Sequence, residues 1–327
     1  MRLTVCICAY NAEKYLLETL TSLEQQTFSD FDWLFIDDAS SDGTVQLFQQ
    51  WIADHPERQA ELIQLSQNSG TAVVRQLALE HVRTPLMMFF DADDIAKSNL
   101  VKTLYDRIVD DDDLIAVSCY CSYMDANGKV LNGGLYLGPT SREEFVNRAE
   151  AGKMMFILPP TIFRREYALK AGGYRQKDWF PSGKIRYEDL SEDVDLWGRM
   201  SDFYADGKCI LTIPEELYHY RKNTNSLSTG FAKSRAMGQK LMYIKVNLKR
   251  RRDGLPELKF NEFWSGLSRW RRLNFERRNL GAYLYRQACF AWVQRRLLAC
   301  GWNLLFATLC SPLYLLEKYH ANFRGKK

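Results

Sequence analysis

Leu86-Met87-Met88-Phe89-Phe90-Asp91-Ala92-Asp93-Asp94 is the stretch whose reading decides the fold. Five apolar residues run into three acids, after Thr84-Pro85 and before the polar Lys97-Ser98-Asn99. An apolar run this short, bounded in this way, predicts a fully buried strand. Its acids then fall at the carboxyl end of the strand, where open α/β sheets place ligands. Strand alternation predicts that Asp91 and Asp93 share a side and converge on one point. Two converging carboxylates repel unless a cation lies between them. A hard divalent ion, Mg²⁺ or Mn²⁺, held by one or two carboxylates and the phosphates of a substrate, meets that need. The plain alternative is a helix start, whose dipole favours acids whatever the function.

Working outward, Leu3–Ala9 predicts a buried first strand broken by Tyr10-Asn11, and Ala12–Gln26 has helical apolar spacing. Phe31–Ile36 predicts a second strand that ends, again acidic, in Asp37-Asp38-Ala39-Ser40-Ser41-Asp42-Gly43-Thr44, with a helix from about Val45 to Trp51. Glu61–Leu65 predicts a third strand, followed by Asn68-Ser69-Gly70 and a helix from about Thr71 to His81 that carries Arg75. Strands alternating with helices of this length indicate βαβ units and a mostly parallel sheet. Three strand ends therefore offer polar loops on one edge: Ala9–Asn11, Asp37–Ser40 and Asp91–Asp94. That is nucleotide-site geometry, yet the chain has no Gly-x-Gly-x-x-Gly and no Gly-Lys-Ser/Thr loop. Dinucleotide dehydrogenases and P-loop enzymes are thus poor fits, and phosphate binding falls to a metal. Further on, Ser118–Met124 predicts a strand with a hairpin turn at Asp125–Gly128. Phe156–Phe163 is a core passage, and Gly172-Gly173-Tyr174 marks a tight bend. Apolar spacing at Leu190, Val194, Leu196, Trp197 and Met200 predicts a helix with Ser191 as its cap and acids in its first turn.

The length allows one large domain with an appendage, or two domains. The net charge of +4 is uneven. Residues 1–230 hold 23 Lys+Arg against 35 Asp+Glu, which is −12, and residues 231–327 hold 21 against 5, which is +16. An acidic body with a basic tail predicts two functional parts, divided at residue 230. The eight cysteines, at 6, 8, 119, 121, 209, 289, 300 and 310, have no Cys-x-x-Cys spacing. They argue against a zinc site and against a disulfide framework, and the expected setting is a reducing cytoplasm. The sequence opens directly on a strand-like run, with no signal-peptide pattern ahead of it.

Val5–Asn11, Gln25-Gln26-Thr27, Ile36–Thr44, Asn68-Ser69-Gly70 with Arg75, and Asp91–Asp94 together resemble family 2 glycosyltransferases. The resemblance continues through Arg164, Gly172-Gly173-Tyr174, Ser191–Trp197 and Tyr220-Arg221, and covers roughly residues 3–230. It implies the GT-A fold: an α/β, Rossmann-like, mostly parallel central sheet with flanking helices, here with a C-terminal α-helical extension. It implies an inverting enzyme that uses a nucleotide-activated sugar, with a UDP-sugar expected, and Mn²⁺ or Mg²⁺ as cofactor. Carried over residue by residue, Ala9, Tyr10, Asn11, Asp38, Arg75, Asp91 and Ala92 hold the nucleotide sugar. Asp93 holds the metal, with Asp94 as a support or second ligand. Asp193 is the general base, with Glu192, Tyr220 and Arg221 supporting it or the acceptor. Tyr220-Arg221 and the polar Asn223–Thr229 resemble the family's closing loop. The family-typical acceptor is a growing bacterial lipopolysaccharide, capsule or other surface glycan. A sugar-phosphate nucleotidyltransferase is the rival enzyme class, but it expects a Gly-rich loop where Tyr10-Asn11 stands. A non-enzymatic glycan-binding scaffold would have no need of Asp93 or Asp193, and both are present.

From Lys240 onward the sequence predicts helices rich in Arg, Trp and Tyr. Leu297–Leu316 carries no charge, but Gly301, Asn303 and Pro312 interrupt it. It is expected to lie at an interface or pack on the body rather than span a bilayer. Basic helices beside an apolar face suit an anionic leaflet, which would place the protein peripherally at the inner face of the cytoplasmic membrane, near a lipid-linked acceptor. Self-association is the alternative use of the tail. Nucleic acid ranks last, because no nucleic-acid motif accompanies the charge.

Overall fold

The computed structural model describes residues 2–157, 159–222, 231–293 and 295–312. Buried apolar runs make the strands of its centre. β1 (Leu3–Ala9), β2 (Asp32–Asp37), β3 (Ala60–Gln64) and β4 (Leu86–Asp91) alternate with α1 (Glu13–Glu24), α2 (Thr44–Asp54) and α3 (Thr71–His81). The four strands pair in parallel in the order β3-β2-β1-β4. Every residue of Leu86–Phe90 is buried, as a central parallel strand covered on both faces requires. The register sets Ala9 beside Asp37 and Cys8 beside Asp91, so the three polar strand ends stand level on one edge.

The sheet continues through β5 (Ile95–Ala96), β6 (Leu114–Met124), β7 (Val130–Leu135), β8 (Thr161–Arg164) and β9 (Cys209–Arg221), with α4 (Leu100–Val109), α5 (Arg142–Glu150), α6 (Arg165–Lys170) and α7 (Glu192–Met200) between them. The full order is β3-β2-β1-β4-β8-β6-β9-β5, with β7 paired to β6 as the expected hairpin. β8 runs antiparallel between β4 and β6, and β9 is parallel to β6. Arg164 fastens β8: its buried guanidinium donates to the carbonyls of Leu114, Ile108 and Asp111 at 3.0 to 3.1 Å.

Among the described residues, four helices follow: α8 (Phe231–Arg252), α9 (Phe260–Gly266), α10 (Arg269–Val293) and α11 (Leu297–Cys310). The chain forms two compact units, and they do not follow a single cut at residue 230. One unit comprises Met1–Trp179, Ser191–Thr224 and Ile244–Glu257; the other comprises Phe180–Leu190, Asn225–Tyr243 and Leu258–Lys327. Charge accounts for the first unit's late segment. Arg251 and Arg252, from the last turn of α8, donate to Asp202 at 2.5 and 3.0 Å. Aromatic packing accounts for the second unit's early segment, since Phe180 and Tyr187 meet Phe260 with ring centroids 6.3 and 4.7 Å apart. Within this second unit α11 folds back on α10 through the small buried residues Ala288, Ala291 and Cys300. Among the described residues no helix is long and apolar enough to cross a membrane; 313–316 of the expected apolar stretch lie outside them.

The acidic unit's core holds an aromatic cluster beneath β2. Phe35 stacks on Phe48 at 4.5 Å, and Trp33 and Trp51 meet at 4.5 Å. Phe48 is fully buried, so Phe48→Ala removes a large side chain and leaves a cavity. It is expected to cost about 3–5 kcal/mol in urea-induced unfolding, with the m-value unchanged.

Candidate active site

The edge formed by the carboxyl ends of β1, β2 and β4 carries two groups of side chains. The first surrounds Tyr10 and Asp38. Asn11 takes a left-handed conformation (φ 51°), which turns the chain sharply out of β1. Its backbone N–H donates to Ser40 Oγ at 2.9 Å, and its side-chain oxygen accepts from Ser41 N at 2.9 Å. This ties the first loop to the second and leaves the Tyr10 ring exposed. Asp38 is buried, and its carboxylate accepts from the amides of Ser69 at 2.6 Å and Gly70 at 2.9 Å. Gly70 has φ 93°, a conformation glycine adopts freely, and it starts α3. Asp38 thus braces the Asn68–Gly70 turn with both oxygens, while Ala9 accepts the Asp38 amide at 2.8 Å. Asp37 is also buried, with one oxygen accepting from Ser40 N at 3.0 Å.

The second group is built around Arg75, which α3 points into the unit. Its guanidinium is buried, donating to Glu192 Oε1 at 2.9 Å and to Asp91 Oδ1 at 3.2 Å. It also lies 5.5 Å from the centre of the Phe89 ring. Burial alone would lower its pKa, but Glu192 and Asp91 more than reverse this, so the pKa is raised and the group stays charged. Arg75 joins the end of β4 to the start of α7, and Asp193 stands within its field. Burial raises the Asp193 pKa above the ordinary carboxylate value; Arg75 and the Val194 amide, which donates to it at 2.8 Å, oppose the shift. Asp193 lines a cavity of about 10 Å³ with Arg75, Phe89, Thr161, Tyr174 and Trp197.

Two expectations need correction here. β4 stops at Asp91, and Ala92 and Asp93 form a turn closed by Asp94 N donating to Asp91 O at 3.2 Å. Strand alternation therefore does not govern Asp93; the turn does. Ser191 holds the N-cap position of α7 but makes no capping bond with its side chain, because it is left-handed at φ 51°. What fixes α7 is Asp195, fully buried, which accepts from Arg175 at 3.3 Å and from Arg199 at 3.0 Å.

Asp93 is half-buried, whereas Asp94 is buried, its Oδ1 accepting from the backbone N–H of Arg221 at 2.9 Å. Burial and the neighbouring Asp91 and Asp93 push the Asp94 carboxyl well above its usual range. The Arg221 guanidinium is buried too: it donates to Asp93 O at 2.7 Å and to Glu18 at 2.6 Å, and it covers Tyr15 at 4.4 Å. Arg221, expected to support the base or the acceptor, also ties the acidic turn to α1 through these bonds. Tyr220 is half-buried beside that turn, and burial with Asp94, Asp91 and Asp93 raises its pKa, so its hydroxyl stays a proton donor. Sequence reasoning missed Tyr123 and Lys222. β6–β9 pairing sets Tyr123 against Tyr220, and the Lys222 ammonium lies 4.0 and 5.0 Å from their ring centres. Only the strand register reveals this. Residues 223–229 of the expected closing loop lie outside the described residues.

Asp91 and Asp93 offer hard oxygen donors that are not fully buried. Two carboxylates are the protein share that Mg²⁺ or Mn²⁺ ordinarily takes when a diphosphate supplies further ligands. The residues present therefore fit such an ion. Among the described residues, no group of three or more His, Cys, Asp or Glu forms a site for a metal by itself.

The family model for glycosyl transferase family 2 matches residues 4–172. The chain is similar to a teichoic acid poly(glycerol phosphate) polymerase of Staphylococcus epidermidis, at 37% identity over 115 residues, 35% of this chain but 16% of the polymerase. It is 22% identical to the glycosyltransferase GlyG of Streptococcus pneumoniae over 229 residues, 69% of this chain and 72% of GlyG. Among solved structures it resembles Staphylococcus aureus TarS 1-349 in complex with UDP-GlcNAc, with a TM-score of 0.55 at 18% identity, covering 97% of this chain and 92% of that one. It also resembles the mannosyltransferase PcManGT of Pyrobaculum calidifontis in complex with GDP-Man and Mn²⁺, with a TM-score of 0.54 at 18% identity, covering 95% and 87%. At these identities the two structures speak for the fold.

Removing Arg75 leaves Glu192 buried without its cation. Arg75→Met is expected to destabilise the protein by about 3–5 kcal/mol, and Arg75→Met with Glu192→Gln to recover most of the loss. Guanidinium denaturation of the two single variants and the double variant measures the coupling.

Proposed function

Because the chain belongs to glycosyltransferase family 2 and has the GT-A fold, we propose that it transfers a sugar, with inversion, from a UDP-sugar to a hydroxyl of a growing bacterial surface glycan. The observation that carries this reading is the convergence of Asp91, Glu192 and Asp193 on one buried arginine at the carboxyl end of β4. The solved relative with UDP-GlcNAc supports a nucleotide-sugar donor, and the one with GDP-Man shows that the fold serves more than one nucleotide. Similarity to a teichoic acid polymerase supports a surface polymer as acceptor, and a lipid-linked carrier at the cytoplasmic face of the membrane suits the basic tail.

Asp193 is the general base in this reading. It takes the proton from the acceptor hydroxyl as that oxygen forms its bond to the anomeric carbon. The bond to the diphosphate oxygen breaks on the opposite face, and the nucleoside diphosphate leaves. A carboxyl whose pKa is raised is a better base than an ordinary aspartate, provided it is deprotonated at working pH. Glu192, neutralised by Arg75, holds that arginine in place rather than taking protons itself. Asp93, with Asp91 beside it, would hold Mn²⁺ or Mg²⁺, which as a Lewis acid stabilises charge on the departing diphosphate. Asp94 and Arg221 fix the turn on which these carboxylates sit, and Tyr10 offers an exposed ring for the base of the nucleotide. A sugar-phosphate nucleotidyltransferase gains no support, since a tyrosine and a left-handed asparagine stand where its glycine-rich loop belongs.

Release of nucleoside diphosphate from UDP-sugars and GDP-mannose, with Mn²⁺ or with EDTA, tests the donor and the metal together. Turnover of a UDP-sugar is expected only with the metal, and it is lost in Asp93→Ala. No binding of any nucleotide sugar to the folded protein in calorimetry would refute the reading. Asp193→Asn is expected to lower kcat by about 10²- to 10⁴-fold. The acid limb of the wild-type rate profile should lie above the pH of an ordinary aspartate. Activity is full where Asp193 is ionised and falls as pH drops through its raised pKa, and this limb should be absent from the residual rate of Asp193→Asn.

A further inference from the structure

α11 packs and exposes opposite stripes. Cys300, Asn303, Ala307 and Cys310 recur at helical spacing and are buried or half-buried where the helix meets α10. Gly281 of α10 permits this approach: a Cβ there would lie 2.8 Å from the Ser311 Cβ. The opposite stripe, Leu298, Trp302, Leu305 and Leu309, follows the i, i+4, i+7, i+11 pattern and is 85%, 61%, 50% and 68% exposed. No residue of Leu297–Cys310 carries a charge, so this outer face is continuously apolar. Scattered exposed leucines need no explanation, but a contiguous apolar face with a tryptophan in it marks a docking surface.

Length and charge identify the occupant. Fourteen residues extend about 21 Å, short of the roughly 30 Å of a bilayer core, so the helix is suited to lie along a surface. Arg295 and Arg296 precede it and are exposed, at the turn where Arg295 is left-handed. Between Glu276 and Glu317 the sequence holds five arginines and no acidic residue. A second copy of this surface would bring like charges together, whereas a phosphate-bearing lipid surface matches both the arginines and the leucines. We propose that the outer face of α11, collared by Arg295 and Arg296, seats in the headgroup layer of an anionic lipid bilayer with its axis along the surface. This deepens the reading of a lipid-linked acceptor and rests on it for its purpose. The test uses no turnover, so either can fail without the other.

Flotation of the full chain with vesicles of phosphatidylcholine alone, or of phosphatidylcholine with phosphatidylglycerol, measures the partitioning. Binding is expected on the anionic vesicles, weakened by salt and by at least tenfold on the neutral ones. Leu298→Glu with Leu305→Glu should abolish it, and Arg295→Gln with Arg296→Gln should weaken it roughly tenfold or more on anionic vesicles. Circular dichroism and urea unfolding confirm that each variant is folded. Equal binding to both vesicle types, or binding untouched by the leucine substitutions, overturns the proposal. So does a concentration-dependent dimer that the leucine variant abolishes while no vesicle is bound, since a second copy would then occupy the face.

Discussion

One buried guanidinium sets the arrangement of this site. Arg75 sits among Glu192, Asp91 and Asp193, and none of these acids could be packed so closely without it. The interaction spans 117 residues of sequence between Arg75 and Glu192. It therefore forms only when α3, β4 and α7 have reached their places. Burying the ions is costly, and the geometry offsets that cost: the arginine donates separately to two carboxylates and lies beside an aromatic ring. Burial raises the pKa of the Asp193 carboxyl even though Arg75 opposes the shift.

The acids of this unit differ in how deeply they are buried. Asp38, Asp94 and Asp195 are all buried, and each spends its oxygens on backbone amides or arginines of its own unit. Asp91, Asp93 and Asp193 are only half-buried. Acids that look alike in the sequence thus differ in burial and in what they bond.

Much of this was legible from residues alone. Apolar runs ending in acids marked β1, β2 and β4, because a strand covered on both faces has little room for polar side chains. The helix expected from about Thr71 to His81 is α3, which follows directly on Gly70. What escaped depends on the third dimension. The turn at Ala92 replaces alternation, and the left-handed Ser191 replaces a cap. Arg221 acts by reaching back to Asp93 and Glu18 from 128 and 203 residues away. The insertion of antiparallel β8 between two strands of the opposite direction has no signature in a single sequence, and neither does the β6–β9 register that sets Tyr123 against Tyr220.

The late segment Ile244–Glu257 has one more implication. Arg251 donates to Gly198 O at 3.1 Å, inside the helix that carries Asp193, and its other arm meets Glu257, which also pairs with Arg175. Arg175 in turn holds Asp195. A chain shortened at the apparent end of the catalytic sequence would keep every acid of the site yet lose the scaffolding behind α7. The sequence boundary at residue 230 is therefore not a structural one, because Ile244–Glu257 belongs with the strands and helices that precede it.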